Sequence, residues 1–275
     1  MLTSKQQDKI INRPIVASVS GGKDSTAVML YLREKGISFT PVFCDTGWEH
    51  PITYDYLSYL EKALDIKIVR VRNEKYFDTN EGGYVRMVKR DQFFPSQQRR
   101  VCTINLKVKP IQDYLDSLRE SAKAKPVNAV GIRKEESKAR STLEEFEDKD
   151  EATIWRPLID WSFDQVVDIH KRYNIKPNPL YTQGFSRVGC FPCIFARKGE
   201  IKMAFERYPE RFDVIRDLEK HMQELKGVDD KYTFFNRGKI DDVIDWAKSD
   251  QLDLFSEEYL SGCLTWGLCD SGANK

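Results

Sequence analysis

The sequence predicts an α/β fold: a Rossmann-like parallel sheet with helices on both faces, followed by a small helical C-terminal cap. Three observations predict it. Over the first 160 residues, short runs rich in β-branched and aromatic residues alternate with helical patterns. A glycine pair, Gly21-Gly22, falls where the first such run meets the first helix. After Ser162 the pattern turns helical.

The elements follow in order. Pro14 to Ser20 reads as a buried strand. Asp24 to Lys35 reads as a helix with Ala27, Leu30 and Leu32 on its apolar face, thickened by Val28 and Met29. Phe39 to Cys44 is a second strand, Ile52 to Leu64 a second helix and Ile66 to Val71 a third strand. Leu106 to Ser121 is helical, Val127 to Ile132 a fourth strand and Ala152 to Ile159 a fifth. Helices are then expected over Asp164–Tyr173, Glu200–Arg207 and Phe212–Leu225, the last stopped by Gly227, and near Asp241–Ala247. The expected division is a nucleotide-binding domain over residues 1–160 and a helical, cysteine-bearing region over 161–275.

The chain has 275 residues, of which 40% are hydrophobic, enough for a sizeable core. The net charge of +1 does not mark a nucleic-acid binder. No apolar run is long enough to span a bilayer, so the expectation is a cytoplasmic protein with no membrane partner. Six cysteines are too few for a disulfide scaffold of this length, and their spacing points to metal or redox chemistry.

The hexapeptide Ser20-Gly21-Gly22-Lys23-Asp24-Ser25 between strand and helix carries the strongest chemical signal. Two glycines let the backbone turn and approach an anion, and the following helix presents free N–H groups and the positive end of its dipole. Ser20 and Ser25 add hydroxyls, Lys23 adds a point charge for phosphate oxygens, and Asp24 can hold magnesium or fix the loop. The spacing is not that of a Walker A loop. Asp45, after the second strand, is placed to accept from a ribose or contact magnesium; the alternative is an aspartate capping a turn. Arg133, Ser137 and Arg140 follow the fourth strand at the same edge, where two cations can stabilise phosphate charge in a transition state. Residues 141–151 are strongly acidic and read as a surface loop or a lid. His50 lies near Asp45 and Glu49; His170 and His221 show no metal spacing.

The Ser20–Ser25 loop resembles that of the ATP pyrophosphatases, which cleave ATP between the α and β phosphates. More narrowly, the chain resembles the phosphoadenosine-phosphosulfate-reductase-like branch. The matching segments are Cys44-Asp-Thr-Gly-Trp-Glu-His-Pro51, Arg100-Val-Cys-Thr-Ile-Asn-Leu-Lys107, Gly131-Ile-Arg-Lys-Glu-Glu-Ser137 with Arg140, and Gly189-Cys-Phe-Pro-Cys193. The resemblance implies ATP and magnesium as cosubstrate and cofactor, with Lys23, Asp24 and Arg133 acting on the phosphates.

Cys190-x-x-Cys193 places two thiols where one centre can take both, with Cys102 upstream and Cys263 and Cys269 near the C-terminus. An iron–sulfur cluster, a zinc site and a redox dithiol are all open on spacing alone. The resemblance favours a [4Fe–4S] cluster on Cys102, Cys190, Cys193 and Cys269, with Cys263 as a sulfur-carrying nucleophile or the two tail cysteines exchanged. It also carries a departure: cluster-bearing reductases have two adjacent cysteines where this chain has Cys102 alone. Cys44 reads as a small core residue.

Residues 86–109 carry Arg86, Lys89, Arg90, Arg99, Arg100, Lys107 and Lys109 against Asp91, with Phe93 and Phe94 among them. Such a stretch can hold a nucleic-acid backbone, the phosphates of a small nucleotide, or only solvent. Glu81-Gly82-Gly83 just before it reads as a flexible entry. The chain also resembles the D subunit of Ssp-type and the C subunit of Dnd-type DNA phosphorothioation systems. That likeness implies adenylation of a DNA backbone phosphate, a cysteine desulfurase as sulfur donor and other subunits of a DNA modification system. The alternatives are an adenylyl-sulfate or phosphoadenylyl-sulfate reductase, a sulfate adenylyltransferase of small-subunit type, and a nucleotide-sensing subunit without catalysis. Reductases usually lack the loop lysine and end in a Glu-Cys-Gly-x-His-like tail; this chain keeps Lys23 and ends in Gly267-Leu-Cys-Asp270.

Overall fold

A computed structural model describes residues 2–228 and 232–249. Six strands form one sheet in the order β3-β2-β1-β4-β6-β5. They are β1 (Ile15–Val19), β2 (Thr40–Cys44), β3 (Val69–Val71), β4 (Val127–Ala129), β5 (Phe146–Asp148) and β6 (Thr153–Trp155). All neighbours are parallel except β5, which runs antiparallel to β6. Val16 sits opposite Thr40 on one side, and Ile15 opposite Val127 on the other. The chain therefore leaves β1 and β4 side by side, the switch point at which such sheets bind ligands beyond the carboxyl ends of their strands.

Helix α1 (Ser4–Ile10) precedes the sheet, α2 (Lys23–Glu34) follows β1 and α3 (Pro51–Leu64) follows β2. Helix α2 buries Ala27, Val28, Leu30 and Leu32 on the sheet. His50 caps α3, its Nδ1 accepting from Ile52 N–H at 3.0 Å, with Pro51 at the first helical position. Helix α4 (Gly83–Asp91), the short α5 (Val101–Thr103), a wide turn over Ile104–Val108 and α6 (Lys109–Ala122) lead into β4. Helices α7 (Phe163–Arg172), α8 (Pro179–Thr182), α9 (Lys198–Arg207), α10 (Pro209–Lys226) and α11 (Ile240–Lys248) complete the described chain.

Two large apolar cores result, with smaller clusters at Val16, Val42, Leu115 and Ala152 and at Val167 and Tyr181. The first lies between the sheet and α2, α3 and α7, and runs past residue 160 to include Val166, Ile169 and Ile175. The second joins α4, α9, α10 and α11, and takes in Trp48 from the segment after β2 and Phe191 from between the paired cysteines.

Three expectations need correction. The acidic run 141–151 contains strand β5 rather than a plain loop: Phe146 stacks on Trp155, with ring centroids 5.7 Å apart, and Glu147 and Asp148 face cations from neighbouring elements. Gly83 is buried, and the next residue's N–H donates to Thr46 O at 2.8 Å, so the Glu81–Gly83 entry is pinned. In the basic stretch, Arg86 pairs with Asp78, Lys89 with Glu81, Arg90 with Asp78 and Lys109 with Asp113. These carboxylates lie outside the 86–109 window.

Candidate active site

The phosphate loop is built from its own hydroxyls. Ser25 Oγ donates to Gly22 O at 2.9 Å and accepts from Ser20 N–H at 3.1 Å, and Thr26 Oγ1 donates to Gly22 O at 3.1 Å. Gly21 turns the chain at φ +72°, with Thr53 Cγ2 2.8 Å from where its Cβ would stand. Gly131, after β4, has no room for a Cβ either: Asp24 C would lie 2.6 Å away. Two loops thus approach each other closely at the switch point.

A cavity of about 590 Å³ opens there. Of the candidate site residues, Ser20, Gly22, Lys23, Asp24, Ser25, Ser137 and Arg140 line it. Gly21 and Asp45 do not. Gly21 serves the turn, its carbonyl accepting from Asn178 Nδ2 at 3.1 Å. Asp45 Oδ1 accepts from Gly47 N–H at 2.9 Å and Tyr54 O–H at 2.7 Å, the turn-capping alternative.

Arg133 is corrected as well. Its place after β4 predicts that it faces the phosphates, but its side chain is only 4% exposed and does not line the cavity. Its Nε donates to Asp24 Oδ1 at 2.7 Å, and its Nη1 reaches Glu135 and, at 3.2 Å, Trp161 O. It positions Asp24, whose other oxygen lies 3.2 Å from Lys23 Nζ. Asp24 therefore fixes the loop, holding Lys23 at the cavity. Burial pulls the Lys23 pKa down, but Tyr181 and Asp24 outweigh it and leave the group above the ordinary lysine range.

Tyr181 carried no signal in the sequence. It projects from α8 into the loop, where its hydroxyl accepts from Lys23 N–H at 3.1 Å and its ring lies 5.2 Å from Lys23 Nζ. Ser186, Arg187 and Arg197 also line the cavity from the segment around the paired cysteines.

That segment walls a second cavity of about 190 Å³, lined by Cys102, Cys190 and Cys193 together with Thr46, Arg100 and Lys107. The three described cysteines of the expected cluster set therefore meet at one cavity. Cys263 and Cys269 lie outside the described residues. Among the described residues no three His, Cys, Asp or Glu side chains form a group that could hold a metal ion. Burial raises the Cys190 thiol to about 11, with Lys107 opposing, and raises Cys102 as well. Cys190 above all, with Glu49 and Cys193, raises Lys107 against the pull of burial. Cys44 stands apart, its Sγ 3.4 Å from Lys107 O and its thiol pushed up to about 12 by burial.

The segment after β2 holds this second site in place. Phe191 N–H donates to Trp48 O at 2.7 Å, and Trp48 Nε1 donates to Pro192 O at 3.0 Å. Glu49 and Cys190 form an isolated antiparallel bridge. Arg211 stacks on Trp48 and donates to Glu49 O at 2.8 Å and Phe191 O at 3.2 Å. Tyr84 stacks on Trp48; its hydroxyl is buried, has no hydrogen-bond partner among the described residues, and feels all three cysteines electrostatically.

A glycine-lysine loop at the switch point of a parallel sheet, with a polar cavity over it, defines a nucleotide-binding α/β fold. The chain belongs to the phosphoadenosine phosphosulfate reductase domain family, which matches residues 14–196. It is 32% identical to an uncharacterised 37.8 kDa protein of Escherichia phage 186, over 74% of each chain. It is 31% identical to an uncharacterised protein of Methanocaldococcus jannaschii, over 77% of this chain but only 43% of that one. It is 26% identical to a phosphoadenosine 5'-phosphosulfate reductase of Buchnera aphidicola, over 63% of this chain and 68% of that one. Among solved structures, the phosphoadenylyl-sulfate reductase of Candida auris superposes with a TM-score of 0.49 at 19% identity, covering 64% of this chain and 81% of that one. No described helix is long and apolar enough to cross a membrane.

Proposed function

We propose that the chain is an ATP pyrophosphatase that adenylates an oxyanion acceptor, a DNA backbone phosphate, for replacement of an oxygen by sulfur. The observation that carries this reading is Lys23, held by Asp24 at a phosphate loop whose cavity adjoins a cavity lined by cysteines. A lysine at that loop serves a pyrophosphate leaving group, which ATP has and adenylyl sulfate lacks.

In the proposed reaction, an acceptor oxygen attacks the α-phosphorus of ATP. A new P–O bond forms, the α–β bridging P–O bond breaks, and its electron pair leaves on pyrophosphate. Lys23, Arg140 and the amino end of α2 stabilise that developing charge, and magnesium accompanies the phosphates. A sulfide-level nucleophile then forms the P–S bond and expels AMP. Sulfur delivered as a persulfide by a cysteine desulfurase needs two further electrons from a thiol.

A [4Fe–4S] cluster on Cys102, Cys190, Cys193 and a tail cysteine would require the three thiols to draw together, since as placed they line one cavity but form no metal-holding group among the described residues. An all-thiol donor set is the chemistry such a cluster uses. When bound, such a centre supplies a redox or anchoring group at the acceptor end. Lys107 offsets negative charge there, and Trp48 and Arg211 keep the cysteine loop in place.

Products separated after incubation with ATP, DNA and a sulfide donor should be AMP and pyrophosphate, and without the donor pyrophosphate and adenylylated DNA; ADP and phosphate would sink the reading. Lys23→Ala should lose about 10- to 100-fold in pyrophosphate release, the worth of a charged hydrogen bond. The pairing of four cations in the basic stretch lowers the charge available to DNA, so partner subunits would supply much of the binding. A reductase acting on adenylyl sulfate is the second reading, favoured by the reductases named among the relatives. It predicts sulfite from adenylyl sulfate and no ATP cleavage.

A further inference from the structure

Arg187 is exposed and lines both cavities, the one over the phosphate loop and the one walled by the cysteines. Val188 is shared in the same way, so the pair stands between them. Arg187 makes no hydrogen bond or ion pair with any described residue. Its neighbours differ. Lys23 is held by Asp24, Arg140 by Glu136, and Arg133 is buried against Asp24. Ser186 donates to Glu200 Oε1 at 2.7 Å. On the cysteine side, Arg100 also has no ion pair among the described residues; its guanidinium lies over the Phe195 ring at 5.2 Å, and it lines that cavity.

An exposed arginine usually serves only solvation. This one differs in that it lines two cavities at once, whereas Lys23 and Arg140, which line the phosphate-loop cavity with it, are each paired with a carboxylate. A guanidinium presents a planar fork that matches two oxygens of a tetrahedral oxyanion. A group bound against this shared wall would meet Arg187 from the nucleotide side, and Arg100 lines the cysteine side.

We infer that Arg187 is the acceptor-binding residue: it grips the oxyanion that ATP adenylates and holds it where sulfur can reach it from the cysteine cavity. The inference rests on the adenylation reading above, but it makes a binding claim that can be tested without turnover. The shared ligand chemistry is a phosphate-type oxyanion, either the phosphodiester of a nucleic acid or a free inorganic ion.

The experiment compares wild type, Arg187→Ala, Arg187→Lys and, as a control far from both cavities, Lys9→Ala. Each is checked for an unchanged melting temperature. A short single-stranded DNA oligonucleotide, inorganic phosphate and sulfate are titrated separately into nucleotide-free protein, and ATP is titrated alone. Arg187→Ala should weaken binding of the anion that wild type takes by about 10- to 100-fold, the cost of a lost charged contact. Arg187→Lys should recover part of it, and ATP affinity should change less than about threefold. The oligonucleotide arm identifies a phosphodiester, and the phosphate and sulfate arms a free ion. Unchanged anion binding in Arg187→Ala, or equal losses for ATP and anion, overturns the inference. If wild type binds the anion through Arg187 but never releases pyrophosphate, the adenylation reading fails and the anion site stands.

Discussion

Replacing Arg133 by methionine separates a positioning role from direct phosphate contact. Methionine keeps much of the length and removes the charge. Breaking a buried ion pair by deleting one partner costs about 3–5 kcal/mol, because the other charge is left uncompensated. Asp24 is not wholly abandoned here: Lys23 Nζ remains 3.2 Å away, and the carboxylate sits in the first turn of α2, where the helix dipole favours it. These offsets bring the expected loss to about 2–3 kcal/mol. At about 2–4 °C per kcal/mol for a chain of this size, the melting temperature should fall by about 4–12 °C. The assay is urea unfolding of wild type, Arg133→Met, Asp24→Asn and the double variant. Coupling between the two sites should be at least about 1 kcal/mol, since Asp24→Asn removes the charge that Arg133→Met strands. A variant as stable as wild type that has lost its affinity for ATP would refute this reasoning and return Arg133 to the phosphates.

Burial lowers His50 to about 4, so the unfolded chain takes the proton first. Stability should therefore be complete above about pH 6.5 and decline by up to about 3 kcal/mol as pH falls toward 4. His50→Asn, which keeps a cap acceptor for Ile52 N–H, should flatten that decline; an unchanged slope in urea melts across pH would assign it elsewhere. Tyr84→Phe removes a buried hydroxyl with no partner among the described residues, so chelator-treated protein should hold its stability or gain up to about 1 kcal/mol. A loss of more than that on thermal melting would mean the hydroxyl already has a partner. Tyr181→Phe frees Lys23 N–H from the phenol; if a phosphate takes that N–H, ATP affinity by equilibrium dialysis should rise about threefold to tenfold. Weaker binding would mean that the hydroxyl contacts ATP.

The strands beside the switch point were legible because the sheet centre is buried on both faces, so β1 and β2 read as continuous apolar runs. Strand β5 was not, because Phe146-Glu147-Asp148 has one apolar residue and is stabilised by its partner, through the Trp155 stack and the ladder to β6. The phosphate loop was readable from local backbone chemistry, and the cysteines from their rarity. Arg133 misled for a different reason. Its place after β4 was read correctly, but nothing local says that the side chain turns inward to Asp24, 109 positions away. The basic stretch misled because charge was counted in a window, while Asp78, Glu81 and Asp113 neutralise it from outside. Tyr84, Tyr181 and Arg187 fit no spacing rule, and only the tertiary fold brings them to the site.

One segment joins the two cavities. Asn178 and Tyr181 bond to Gly21 and Lys23 of the phosphate loop, Arg187 and Val188 line both cavities, and Cys190 and Cys193 follow directly. Trp48 and Arg211 clamp the far end of that segment from the second core. Occupants of the two cavities therefore meet across one strip of backbone rather than across a domain boundary. A phosphate that displaced the Tyr181 hydroxyl would act on α8 directly, and Arg187 lies six residues further along the same strip. Conversely, whatever fixes Cys190 and Cys193 fixes that strip. The cysteine loop and the phosphate loop are in this way coupled through the backbone that carries Arg187.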